Sequence, residues 1–160
     1  MTDPVAEQVI AALRNRGETV ATAESLTGGL IGKLLTDVAG ASQSYLGGVI
    51  SYATRLKAEL VGVDPAVLAE QGPVADVTAR QMAAGVARRC DATWGLAVTG
   101  VAGPDPQDGH PVGQVFVAAA SAGQPPGIWV EELALHGDRA KIRLDAAQHA
   151  LGLLMRQLST

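Results

Sequence analysis

Three short apolar runs, Thr19–Ala23, Tyr45–Tyr52 and Thr93–Val98, are separated from one another by stretches with helical periodicity. This alternation constrains the chain more than any other feature. Strands joined through helices run parallel, and right-handed crossovers lay the helices against the sheet. The pattern then changes. Val112–Ser121 and Ile128–Leu135 flank Gly123-Gln124-Pro125-Pro126-Gly127, a turn cluster that predicts a hairpin, and a last helical stretch follows. The order predicts one α/β domain over residues 1–160, a three-layer α/β/α arrangement around a mixed, mainly parallel sheet.

The helices carry their own punctuation. Asp3-Pro4 pairs an N-cap acceptor with a proline that gives up no needed N–H; Val5, Val9, Ala12 and Leu13 form one face, and Gly17 ends the helix. Gly28–Val38 reads as a second helix with Leu30, Leu34, Leu35 and Val38 inward. Thr54–Val61 reads as a third. Asp64-Pro65 starts a brief helical turn that Gly72-Pro73 stops, and Asp76 is expected to cap a long helix reaching Cys90. Asp138 caps the last, which carries Ile142, Ala146, Ala150, Leu153 and Leu154. Gly47-Gly48 inside the second strand leaves room for a close neighbour.

Composition narrows the function classes. Hydrophobic residues make up 48% of the chain and aromatics only 3%, so the core is built from Val, Leu, Ile and Ala. Few rings are left for stacking bases. Sixteen acidic against twelve basic residues give a net charge of −4, which argues against a nucleic-acid binder. The single cysteine, Cys90, rules out an internal disulfide, and its place on the stripe Ala79, Met82, Ala83, Val86 predicts burial. Asp3 and Glu7 interrupt any signal-peptide pattern, and no apolar run nears the ~20 residues that span a bilayer. No membrane association and a cytoplasmic location are expected.

If the first three strands are parallel, their carboxyl ends share one edge, where open α/β sheets bind ligands. The segments arriving there are Glu24-Ser25-Leu26-Thr27-Gly28-Gly29, Ser51-Tyr52 through Lys57, and Val98-Thr99-Gly100. Ser25 and Thr27 precede glycines at a helix start, where free N–H groups hold a phosphate or an oxyanion; the plainer reading is a helix cap. Ser25 lacks a Gly-x-Ser-x-Gly elbow, and His110, His136 and His149 read as solvated or packed. A lysine deprotonated by burial is the other base available to a serine, which singles out Lys57, with Tyr52 able to share a proton. The plain alternatives are a solvated lysine and a half-buried aromatic. Asp105, Asp108 and His110 are a weak metal pattern, and no metal site is assigned. Arg139, at the start of the last helix, can reach an anion bidentately or pair with a neighbouring acid.

At these segments the sequence resembles the CinA C-terminal domain family, whose enzymes are nicotinamide-nucleotide amidases. The resemblance is carried by Thr22–Gly29, by Gly47-Gly48-Val49-Ile50-Ser51-Tyr52 through Lys57, by Leu60-Val61-Gly62-Val63, by Val98–Pro104, by Pro111-Val112-Gly113 and by Gly137-Asp138-Arg139. It implies metal-independent, cofactor-free hydrolysis of nicotinamide mononucleotide to nicotinic acid mononucleotide and ammonia, in pyridine nucleotide recycling. It further implies Ser25 as nucleophile with Tyr52 and Lys57 as partners, and an active-site place for Thr99 and Arg139. On this reading Thr27, Gly28, Gly29, Thr99, Gly100 and Arg139 contact the nucleotide, and the protein forms a homodimer or higher homo-oligomer. Leu26 stands where relatives usually have Cys, and Ala53-Thr54-Arg55-Leu56 differs from them while keeping the tyrosine–lysine spacing. The competing reading is a non-catalytic nucleotide- or phosphate-binding module, which has no use for Lys57.

Overall fold

In the computed structural model, which describes residues 1–160, the Asp3 carboxylate accepts the Val5 and Ala6 amides and opens α1 (Pro4–Arg16), which ends on a left-handed Gly17. The chain continues through β1 (Val20–Glu24), α2 (Leu30–Thr36), β2 (Tyr45–Ile50), α3 (Thr54–Val61), α4 (Pro65–Gln71) and α5 (Asp76–Cys90). It closes with β3 (Trp94–Gly100), β4 (Gln114–Ser121), β5 (Gly127–Ala134) and α6 (Arg139–Leu158). The strands form one sheet in the order β2-β1-β3-β4-β5. β1 pairs in parallel with β2 and β3, β4 runs against both β3 and β5, and so β4 alone opposes the other four strands.

Alternation along the strands divides the core between two helical layers. Leu96, Val98, Val115 and Val117 face α1, α2 and α6. Ala97, Phe116, Ala118 and Ala120 face the other way, onto α5 with Val61 and Val63. The small residues expected at Gly47-Gly48 serve close approach: a Cβ on Gly48 would clash with the Thr22 hydroxyl and carbonyl of β1.

Four local expectations are corrected. α2 begins two residues later than Gly28, because Gly28 and Gly29 take positive φ values of 59° and 105° and lie outside helical space. β2 ends at Ile50, before Ser51 and Tyr52. Asp76 is the first residue of α5 and does not cap it; its carboxylate pairs with Arg80 one turn on, at 2.6 Å. Cys90, at the last residue of that helix, is half-buried.

The register sets up the functional edge. Glu24 of β1 lies level with Ile50 of β2 and Val98 of β3. The ladder runs on by one residue, with the Ser51 amide donating to Glu24 O at 2.9 Å and the Ser25 amide to Val98 O at 3.1 Å. Ser25, Ser51 and Thr99 therefore stand side by side at this edge.

Candidate active site

Lys57 is the largest fully buried side chain of the protein, 1% exposed. It lies on α3, the helix that leaves β2, and runs back under the sheet edge. Its Nζ stands 3.0 Å from Ser25 Oγ, 2.7 Å from the Ser51 carbonyl and 3.2 Å from the Tyr52 carbonyl. No carboxylate pairs with it, and burial lowers its pKa from the usual 10.5 to about 8. About a tenth of the lysine is then neutral at pH 7. A neutral amine has two N–H bonds and one lone pair. With both N–H groups donated to the Ser51 and Tyr52 carbonyls, the lone pair is left for the Ser25 hydroxyl. The geometry thus forms a serine–lysine acid–base pair.

A buried lysine with a depressed pKa also leaves a signature in stability. Between about 8 and 10.5 the unfolded chain binds a proton that the native protein has lost, so stability rises with pH across that window. Denaturant unfolding at pH 8 and pH 10 should show the wild type gaining about 2 kcal/mol relative to Lys57→Met. Equal gains in the two proteins would mean that Lys57 titrates like a solvated lysine.

The pair sits in a cavity of about 410 Å³, within the range of small-molecule sites. Its walls come from the turn after β1 (Ser25, Leu26), from the segment after β2 (Tyr52, Thr54, Lys57) and from the end of β3 with the loop that follows (Thr99 to Gln107). Pro73 and Val74 before α5 and Arg139 of α6 complete it. Ser25, Tyr52, Lys57, Thr99, Gly100 and Arg139 thus share one site despite their separation in sequence. Pro73 and Val74 escaped the sequence reading, having no chemistry of their own to signal them.

Tyr52 differs from expectation in its side chain. Beyond the strand end, Ser51 turns inward and Tyr52 outward, the tyrosine being 61% exposed. Its hydroxyl accepts from Arg139 Nη2 at 3.3 Å and bonds neither Ser25 nor Lys57. Tyr52 serves the lysine through its backbone carbonyl instead. Arg139 also donates through Nη1 to Gly103 O at 2.5 Å, which holds the guanidinium on the cavity rim. The Thr99 hydroxyl, 1% exposed, gives its proton to Pro73 O at 2.6 Å. It keeps only lone pairs for a ligand and so cannot donate to a phosphate. Asp105 lines the cavity; Asp108 does not.

The expectation for Thr27-Gly28-Gly29 is corrected more fully. None of the three lines the cavity. The amides that open α2 already have an anion: the Glu24 carboxylate accepts from Gly29, Ile31 and Gly32 at 3.2, 2.9 and 3.1 Å. A buried carboxylate from the neighbouring strand end fills the place where a ligand's phosphate was expected. The amides left without a protein acceptor beside Ser25 are those of Leu26 and Thr27. No group of three or more His, Cys, Asp or Glu side chains is placed to share a metal ion.

A mixed five-stranded sheet between two helical layers, with a buried Ser–Lys pair at its carboxyl edge beside a cavity of about 410 Å³, defines the class of domain. The chain belongs to the CinA C-terminal domain family, whose profile matches residues 2–158. A CinA-like protein of Frankia casuarinae is 48% identical over 94% of this chain and 34% of its own length. A putative competence-damage inducible protein of Bacillus velezensis is 41% identical over 92% of this chain and 35% of its own. The chain therefore spans about a third of the length of these relatives. Among solved structures, competence/damage inducible protein CihA of Agrobacterium tumefaciens superposes with a TM-score of 0.91 at 33% identity, covering 100% of this chain and 99% of that one. A CinA superfamily protein of Klebsiella pneumoniae gives a TM-score of 0.91 at 29% identity, over 97% and 96% of the two chains. No helix of the protein is long and apolar enough to cross a membrane.

Proposed function

We propose that this domain is an amidohydrolase that deamidates nicotinamide mononucleotide through a serine-bound acyl intermediate. The observation that carries the reading is the 3.0 Å contact between Ser25 Oγ and a buried Lys57 whose pKa has fallen to about 8. Neutral Lys57 takes the Ser25 proton as Oγ attacks the carboxamide carbon. The oxyanion that forms falls to the amides beside Ser25. As the tetrahedral species collapses, the lysine ammonium returns its proton to the departing nitrogen, which leaves as ammonia. A water then attacks the ester carbonyl, its proton again going to Lys57, and Ser25 is released with the carboxylic acid product. Binding alone would require neither the burial of Lys57 nor its alignment on Ser25.

The choice of a nucleotide substrate rests on the family and on Arg139, the single guanidinium on the cavity wall. It can exchange its contact with the Gly103 carbonyl for a substrate phosphate, with which it makes a stronger, charge-assisted hydrogen bond. Arg139→Gln should raise KM for the mononucleotide roughly tenfold, and leave KM for the unphosphorylated riboside within about twofold. A parallel rise for both substrates would place the phosphate elsewhere.

Ammonia release from nicotinamide mononucleotide, with and without a chelator, tests the activity. Release that the chelator does not affect is expected. Nucleotide binding without any ammonia would instead make the domain a binding module.

A further inference from the structure

The turn that carries Ser25 is gripped from two sides by ions that do not pair with each other. Glu24 holds the amides of its far end, at Gly29, Ile31 and Gly32. Arg143, on α6 and more than a hundred residues away in sequence, holds the carbonyls of its near end. Its Nε donates to Leu26 O at 2.8 Å and its Nη2 to Thr27 O at 3.1 Å. Arg143 makes no ion pair with any carboxylate. The guanidinium lies against Gly28, where an added Cβ would come within 3.3 Å of Nη2. A charged group buried in part, with no counterion and two backbone carbonyls as partners, is placed to shape the turn.

Peptide geometry says what it shapes. The Leu26–Thr27 bond is trans, so fixing the Leu26 carbonyl on Arg143 turns the Thr27 N–H to the opposite side. The preceding peptide is fixed in the same manner, with Ser25 O accepting from the Gly28 amide at 3.1 Å, and this directs the Leu26 N–H away from that bond. These two amides are the ones left without a protein acceptor next to Ser25. The residue after a nucleophilic serine is also where hydrolases commonly draw an oxyanion donor.

We propose that Arg143 is a positioning residue: by holding the Thr27 carbonyl it fixes the peptide whose Gly28 N–H bonds Ser25 O, and so keeps the amide of Leu26, which lines the cavity, presented to the oxyanion formed on Ser25. This rests on the amidohydrolase reading above. Arg143 hydrogen-bonds neither Ser25 nor Lys57, so its loss should leave substrate binding and the lysine pKa in place while weakening stabilisation of the tetrahedral state. Lysine at 143 can reach one carbonyl and cannot span two in a fixed fork, so it should rescue in part.

The test compares wild type, Arg143→Met and Arg143→Lys by kcat, KM and affinity for pyridine-3-boronic acid. A boronic acid forms a tetrahedral adduct with a nucleophilic serine, visible by boron NMR. For Arg143→Met, kcat is expected to fall roughly 10- to 100-fold with KM within about threefold, and boronate affinity to fall in parallel. Arg143→Lys should lie between, and it carries the test if the methionine variant does not fold. Unchanged kcat and boronate affinity would overturn the role. So would a loss that appears as raised KM and lowered melting temperature with boronate affinity intact, since that is a structural role only. Failure of the underlying reading looks different: wild type itself would give no tetrahedral boronate, and Ser25→Ala would turn over normally.

Discussion

Lys57→Arg is expected to lower turnover by about 100-fold or more, the usual worth of general base catalysis, while leaving nucleotide affinity nearly intact. Arginine keeps the charge and roughly the reach but does not deprotonate in a protein. On the proposed mechanism the active form is the neutral amine, so the wild-type rate should rise with pH, about tenfold per unit, until it levels near the lysine pKa of about 8. That rising limb should vanish in the variant. Steady-state rates between pH 6 and pH 9 for both proteins check the expectation. Substantial turnover by Lys57→Arg would reduce the lysine to an electrostatic clamp and send the search for a base elsewhere in the cavity.

Ser25→Ala has the larger expected effect, a loss of roughly 10⁴-fold or more, on the scale of other nucleophile deletions. The fold should survive it. The Ser25 hydroxyl is hydrogen-bonded only to Lys57, whereas the backbone bonds that extend the β1 ladder, Ser25 N to Val98 O and Ser51 N to Glu24 O, do not depend on the hydroxyl. Nucleotide affinity measured by calorimetry should remain within a few-fold of wild type. Residual ammonia release within tenfold of wild type would mean that water attacks the amide directly.

The sequence makes the scaffold and the Ser25–Lys57 pair legible for one reason: both are written in local pattern. Asp3-Pro4 and Gly17 bracket α1 as capping chemistry requires, and helices between apolar runs bring the ends of β1, β2 and β3 to one edge. Once those ends meet, a serine after one strand and a lysine in the first turn of the helix that follows another lie within reach. What stays hidden depends on contacts across the fold. The start of α2 reads as an open anion site because no local signal shows that the Glu24 carboxylate turns back onto its amides. Arg143 reads as one more polar residue of an amphipathic helix, although its partners are the carbonyls after Ser25. Its spacing of four from Arg139 places both on one side of α6, the one sequence signal that could have drawn attention to it. The Tyr52 ring was beyond reach for a similar reason, since its direction depends on where β2 ends, and strand ends are weakly marked in sequence.

Hydroxylamine partitioning probes the serine-bound intermediate most directly. With nicotinamide mononucleotide as substrate, an acyl group held on Ser25 can pass to hydroxylamine as well as to water. The expected result is a hydroxamate that grows with hydroxylamine concentration at the expense of the acid, in the wild type and not in Ser25→Ala. Ammonia release that yields only the acid at every hydroxylamine concentration, with Ser25→Ala still active, is incompatible with Ser25 as the nucleophile.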